Sequence, residues 1–160
     1  MKKIALIMLA ALAAVAAGAF PATTAAHGDE PHDVAAAIAA ALKNPLHVKA
    51  GARLTIVHVQ RGCHLWTVGK SDPKAGVKVV LRPGQRLSIV NQDLDTHKLV
   101  RLSGPSIALG KPLSMNDRFT LRFSKAGIYK IRTKKVELPG MLEVKTTGPD
   151  RILALLVVVR

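Results

Sequence analysis

From Arg53 to Arg160 the chain is written in short apolar-patterned runs, each closed by a turn former, and that pattern leaves little room for anything but strands. Leu54, Ile56 and His58 alternate with Thr55, Val57 and Val59 before Arg61 and Gly62 break the run. Val77 to Leu81 leads into the turn Arg82-Pro83-Gly84, and Leu87 to Asn91 follows. His97 to Leu102 ends at Ser103-Gly104-Pro105, and Ala126-Gly127 turns the chain into Ile128 to Thr133. Phe119, Leu121 and Phe123 alternate cleanly, which predicts that all three face inward. The run Ile152 to Val159 is apolar throughout and suits a strand buried on both sides, or a sheet edge tucked inward. Roughly seven to nine strands with turn signals about ten residues apart predict an all-β, Greek-key two-sheet β-sandwich over residues 53–160.

The N-terminal part reads differently. Met1, Lys2 and Lys3 form a positive start, Ile4 to Ala17 an apolar stretch, and Thr24-Ala25-Ala26 a small-residue cleavage site, so residues 1–26 are expected to be a signal peptide. The apolar stretch is too short for a membrane span, which needs about 20 residues. Export, most simply to a periplasm, is the expectation. Residues 27–52 then form a polar arm and a short alanine-rich helix, capped by Asp33 and running from Val34 to Lys43 until Asn44-Pro45 stops it. So many alanines offer little surface to bury, and this helix is expected outside the sandwich or mobile. What remains after cleavage is about 130 residues, the size of one domain.

Charge narrows the partners. The formal net charge is +14, spread singly along the predicted strands, with only 3% aromatic residues. Without clustering or stacking platforms, and after export, nucleic acid is excluded as a partner. An acidic redox protein, a membrane surface with anionic headgroups, or plain solubility of a monomer remain.

Cys63 is the only cysteine, so no intramolecular disulfide can form. In an exported chain a lone Cys is a buried thiol, an intermolecular half-bridge or a metal ligand. It is followed by His64, and downstream lie His97, after Asn91 and Asp93, and Met141, after Pro139-Gly140. A thiol, imidazoles and a thioether form the set that copper selects. Each also has a plainer reading: Cys63 as a small core residue, His64 bonded to a carbonyl, His97 as a turn residue, Met141 as core filler. Adjacent strand residues point to opposite faces, so Cys63 and His64 can share one ion only if Gly62 allows a bulge or a strand end. His58 reads as a structural or surface histidine, and Asp93 and Asp95 as turn formers or partners of His97. His27, if exposed as a new N-terminus, could chelate Cu(II) with help from His32; a solvated arm is the alternative.

The segment from Gly84 to His97, a strand ending in Asn91-x-Asp93 with a His a few residues on, resembles the cupredoxin pattern, in which that His is the first copper ligand. Phe123, Gly127 and Tyr129 resemble the family's Phe-x-x-x-Gly-x-Tyr hairpin before the ligand loop. The resemblance implies a copper site that includes His97 and Met141. It fails at the usual Cys and second His positions, which are Thr133 and Val136. The stretch Gly62-Cys63-His64-Leu65-Trp66 is similar to a branch of exported cupredoxin-like proteins that carries this segment on an early strand. The expected ligands are therefore Cys63, His97 and Met141, with His64 as the fourth, the cofactor is copper, and an acidic copper-trafficking protein joins the candidate partners. The expected role is electron transfer or copper handling rather than catalysis, because no Ser-His-Asp set or paired carboxylates stand out. The alternative is a metal-free basic β-sandwich that binds an acidic protein or lipid.

Overall fold

The computed structural model of the protein describes residues 31–59, 63–136 and 152–160, without the side chains of residues 31–33 and 63. One helix, α1 (Pro31–Ala41), precedes the strands β1 (Leu46–Val48), β2 (Arg53–Val59), β3 (Cys63–Thr67), β4 (Gly76–Leu81), β5 (Arg86–Asn91), β6 (His97–Ser103), β7 (Arg118–Arg122), β8 (Gly127–Lys135) and β9 (Ala154–Val159). The expected signal peptide, the start of the arm with His27, and Met141 with its loop lie outside the described residues.

The strands form two mixed sheets, one of five in the order β1-β4-β9-β8-β6 and one of four in the order β3-β2-β5-β7. Strands adjacent in sequence lie in different sheets at several points, so the chain crosses repeatedly between the layers, as a Greek-key sandwich requires. The closing run sits centrally, with β9 parallel to β4 and antiparallel to β8. Leu155, Val157 and Val159 face the core, while Leu156 and Val158 are half-buried on the outer side. Leu54, Ile56 and Trp66 from one sheet meet Val77, Val79 and Ile131 from the other, all at most 1% exposed. Each fully buried side chain of this size stabilises the fold by about 1.5–3 kcal/mol relative to exposure. Leu121 and Phe123 are buried and Phe119 packs against the core, as the alternation predicted.

Helix α1 begins earlier than the Val34 start expected from the sequence, because Pro31 suits a first helical turn with its fixed φ and missing N–H. It lies outside the sheets with none of its described side chains buried. Its C-terminal carbonyl at Ala41 abuts Gly76, where any Cβ would overlap it. Strand β1 lies within the segment read as arm and helix. It pairs in parallel with β4, Leu46 opposite Val77 and Val48 opposite Val79, and so extends the sheet beyond the Arg53 boundary.

The Phe123–Tyr129 segment is a corner rather than a hairpin. Strand β7 pairs with β5, and β8 pairs with β6 and β9, so the chain changes sheets between them. The Phe123 and Tyr129 rings meet edge to face with centroids 5.0 Å apart. The Tyr129 hydroxyl donates to the Lys125 carbonyl oxygen at 2.7 Å, which closes the corner.

Candidate metal centre

At one end of the sandwich the inner faces of both sheets stop being apolar. Along β2, Leu54 and Ile56 are buried, and His58 continues the same face to the rim, with its side chain 40% exposed. Strand β3 pairs with β2 so that Trp66 lies opposite Ile56 and His64 opposite His58, which puts the two histidines side by side. The start of β6 in the other sheet contributes His97. His64 and His97 are 2% and 1% exposed, and their ring centroids are 4.9 Å apart.

The connection from β5 to β6 carries the chain between the sheets and holds the acid on which these rings converge. Asn91 is wholly buried, and its side-chain amide fixes that connection. Its Nδ2 donates to the Asp95 and Leu113 carbonyls at 2.7 and 2.9 Å, and its Oδ1 accepts from the Asp93 N–H at 2.9 Å. An Asx turn of this kind explains the Asn-x-Asp spacing without any appeal to metal. His97 is held from the other side by a pair of backbone hydrogen bonds with Leu113.

Asp93 is 0% exposed. Its Oδ2 accepts from His97 Nε2 at 2.7 Å, and its Oδ1 lies 3.2 Å from His58 Nδ1. His64 Nδ1 rests against Oδ2 as well. Burial works to raise the Asp93 carboxyl, but the imidazoles of His64 and His97, through hydrogen bonding and charge, outweigh it and hold it well below the usual carboxylate range. The ionised carboxylate only accepts, so the His97 proton sits on Nε2. In the neutral ring Nδ1 then keeps its lone pair. That Nδ1 is buried without a hydrogen-bond partner among the described residues. At the rim, Asp95 Oδ2 lies 3.4 Å from His64 Nε2 and 3.1 Å from Lys135 Nζ.

Of the four expected ligands, His64 and His97 come together here. Cys63 opens β3 opposite Val59, next to His64, but its side chain lies outside the described residues, as does Met141. Thr133, at the usual Cys position, is buried and accepts the Leu153 N–H at 3.3 Å, so its hydroxyl serves the packing of β9. His58, read from the sequence as a structural or surface histidine, belongs to the cluster. A signal for it exists: His58 and His64 are equidistant from Arg61, so a strand pair folding back there places them opposite each other. Asp93 proves to be both things expected of it, since it accepts from the Asp95 N–H at 3.4 Å as a turn former and also holds His97.

No protein-family model matches the chain, and no curated protein matches it either. Among solved structures it is similar to a purple cupredoxin from Nitrosopumilus maritimus, with 18% identity over 68% of this chain and 99% of that one, at a TM-score of 0.40. It is similar to a McoA multicopper oxidase variant from Aquifex aeolicus, with 13% identity over 72% of this chain and 28% of that one, at 0.41. It is also similar to a reduced single-site mutant of amicyanin, with 16% identity over 52% of this chain and 69% of that one, at 0.36.

Proposed function

We propose that this is an exported, cupredoxin-like copper protein that serves electron transfer or copper handling and turns over no substrate. The observation that carries the reading is the pair of buried imidazoles, His64 and His97, that converge on Asp93, with His97 Nδ1 lacking any hydrogen-bond partner among the described residues. A buried polar atom left unpaired costs about 1–3 kcal/mol. No described group takes the His97 Nδ1 lone pair, whereas a bound metal ion would. Asp93 completes the fit, because a carboxylate that takes one ring N–H fixes the tautomer and aims the other nitrogen, as metal-bound histidines require.

His97 through Nδ1 and His64 would hold the ion, with Cys63 supplying a thiolate and Met141 a thioether. Bound there, copper would supply one-electron exchange, and this donor set is the soft one that selects it. The protein's own contribution is rigidity. The imidazoles are fixed from two sheets, and Asn91 locks the connection between them.

Electrostatics favours an acidic partner. The strands of the five-stranded sheet contain no acidic residue, and its outer face presents Lys78, Lys98, Lys130, Arg132 and Lys134. An open depression lined by Lys98, Lys134, Lys135 and Val136 lies at the His97 end of that face. Contact driven by such a face is fast and salt-sensitive.

The test is copper loading of the mature chain with metal analysis, visible spectroscopy and thiol alkylation. The expected result is about one copper per chain, a sulfur-to-copper charge-transfer band when oxidised, and a Cys63 protected from alkylation. The band should vanish in Cys63→Ser, and binding should weaken severely in His97→Ala. Copper uptake no greater than in Cys63→Ser, with an equally reactive thiol, would reject the reading and leave a metal-free module that binds an acidic protein or lipid.

A further inference from the structure

We infer that His58, His64 and Asp93 form a second donor set on the solvent side of the same cluster, one that takes a borderline divalent cation such as Zn(II). It involves neither sulfur ligand and so stands apart from the copper reading, sharing only His64 with it.

One donor atom from each of these three residues lies within 4.8 Å of the others. Ligands at 2.0–2.1 Å around a tetrahedral ion sit about 3.4 Å apart, so a small closing movement brings the three to bonding positions. The residue best placed to move is His58, half-exposed near the end of β2, while His64 and Asp93 are buried and held. Strand register already puts His58 and His64 on one face, with ring centroids 5.9 Å apart. Both present Nδ1 to the carboxylate, His58 to Oδ1 and His64 to Oδ2.

The surroundings supply what a metal site needs beyond its ligands. If His64 binds through Nδ1, its Nε2–H faces Asp95 Oδ2 at 3.4 Å, a carboxylate–histidine–metal relay. His97 Nε2 donates to Asp93 Oδ2 and orients the ligating carboxylate. The Asp93 carboxylate is the donor that offsets part of the cation's charge in an otherwise strongly basic protein. Two imidazoles and one carboxylate suit zinc better than the softer Cu(I), and the exposed side of His58 leaves a fourth position for water.

The experiment titrates zinc chloride into chelator-stripped mature protein and its Cys63→Ser variant, reading stoichiometry after desalting, affinity by calorimetry and the shift in thermal midpoint. Cys63→Ser should keep about one zinc per chain and melt higher with rising free zinc. Adding His58→Ala should weaken zinc binding by roughly 100-fold, and Asp93→Asn by at least as much. His47→Ala, an exposed histidine of β1 remote from the cluster, should change nothing. If Asp93→Asn fails to fold, His58→Ala at the half-exposed rim still decides. Zinc binding absent from Cys63→Ser, or as tight after His58→Ala as before, overturns the inference. Loss of the sulfur-to-copper band with zinc binding intact removes only the copper reading, and the reverse removes only this one.

Discussion

Replacing Asp93 with alanine should destabilise the metal-free protein more than any other single change at this end of the sandwich. The carboxylate is wholly buried, accepts from His97 Nε2 at 2.7 Å and sits against His64 Nδ1. Its removal leaves two buried ring nitrogens without an acceptor, at about 1–3 kcal/mol each. The contacts to half-exposed His58 and to the Asp95 amide add little, since water replaces them. Breaking a buried ionic contact by deleting one partner costs about 3–5 kcal/mol, which agrees with that sum. Asp93→Ala should therefore lose about 3–5 kcal/mol, and Asp93→Asn, which keeps shape and one acceptor, about 2 kcal/mol. For a domain of this size the alanine variant should melt about 10–20 °C lower. Urea unfolding of chelator-treated protein, followed by emission of the single, fully buried Trp66, measures the difference. The sign of the pH dependence follows from the depressed carboxyl. Its contribution is complete above the ordinary aspartate value of 3.8 and is lost as pH falls through the lower folded-state value. Wild type should accordingly lose stability on acidification below about pH 4 by an amount that Asp93→Asn does not show. A wild-type-like midpoint for Asp93→Ala, within about 1 kcal/mol, would refute the view that the cluster is organised around this carboxylate.

Asn91→Ala removes two donated hydrogen bonds and one accepted one from a buried side chain, and should cost about 3 kcal/mol in urea unfolding while weakening copper affinity through the loosened connection. Thr133→Val, nearly isosteric, strips the Leu153 amide of its acceptor and should cost about 1–2 kcal/mol with no effect on metal content. Gly104→Ala places a Cβ against the Ile128 carbonyl at a φ of 102°, and a loss of about 3 kcal/mol is expected in thermal melts.

Most strands from Arg53 onward were legible because alternation, or in β9 an unbroken apolar run, records which faces are buried, whereas β3 was placed on a strand only by its likeness to a family segment. Strand β1 was not, since it is three residues long and a period of two needs more than that to show. Its place follows from the open edge of β4, a fact about a distant segment. The same distinction runs through the site. His97 and Asp93 could be read together because one short connection carries both. His58 was set aside because its company is decided by strand pairing, and Asp93's convergence with His64 by the meeting of two sheets. The corner at Tyr129 was legible as a motif, but whether it joins strands of one sheet or of two depends on partners elsewhere in the chain.

Among the described residues, the order of the sheets leaves four strands at edges: β1 and β6 in one, β3 and β7 in the other. Exposed edges invite another copy of the chain to add a strand, the first step toward aggregation. Here β1 offers only three residues, β6 exposes Lys98 and Arg101, and β7 exposes Arg118 and Arg122. A second copy approaching either longer basic edge meets cations with cations, and the net charge of +14 opposes the encounter from farther out. Along β6 and β7 colloidal stability is thus written into the borders of the sheets, and it weakens as salt shortens the reach of that repulsion.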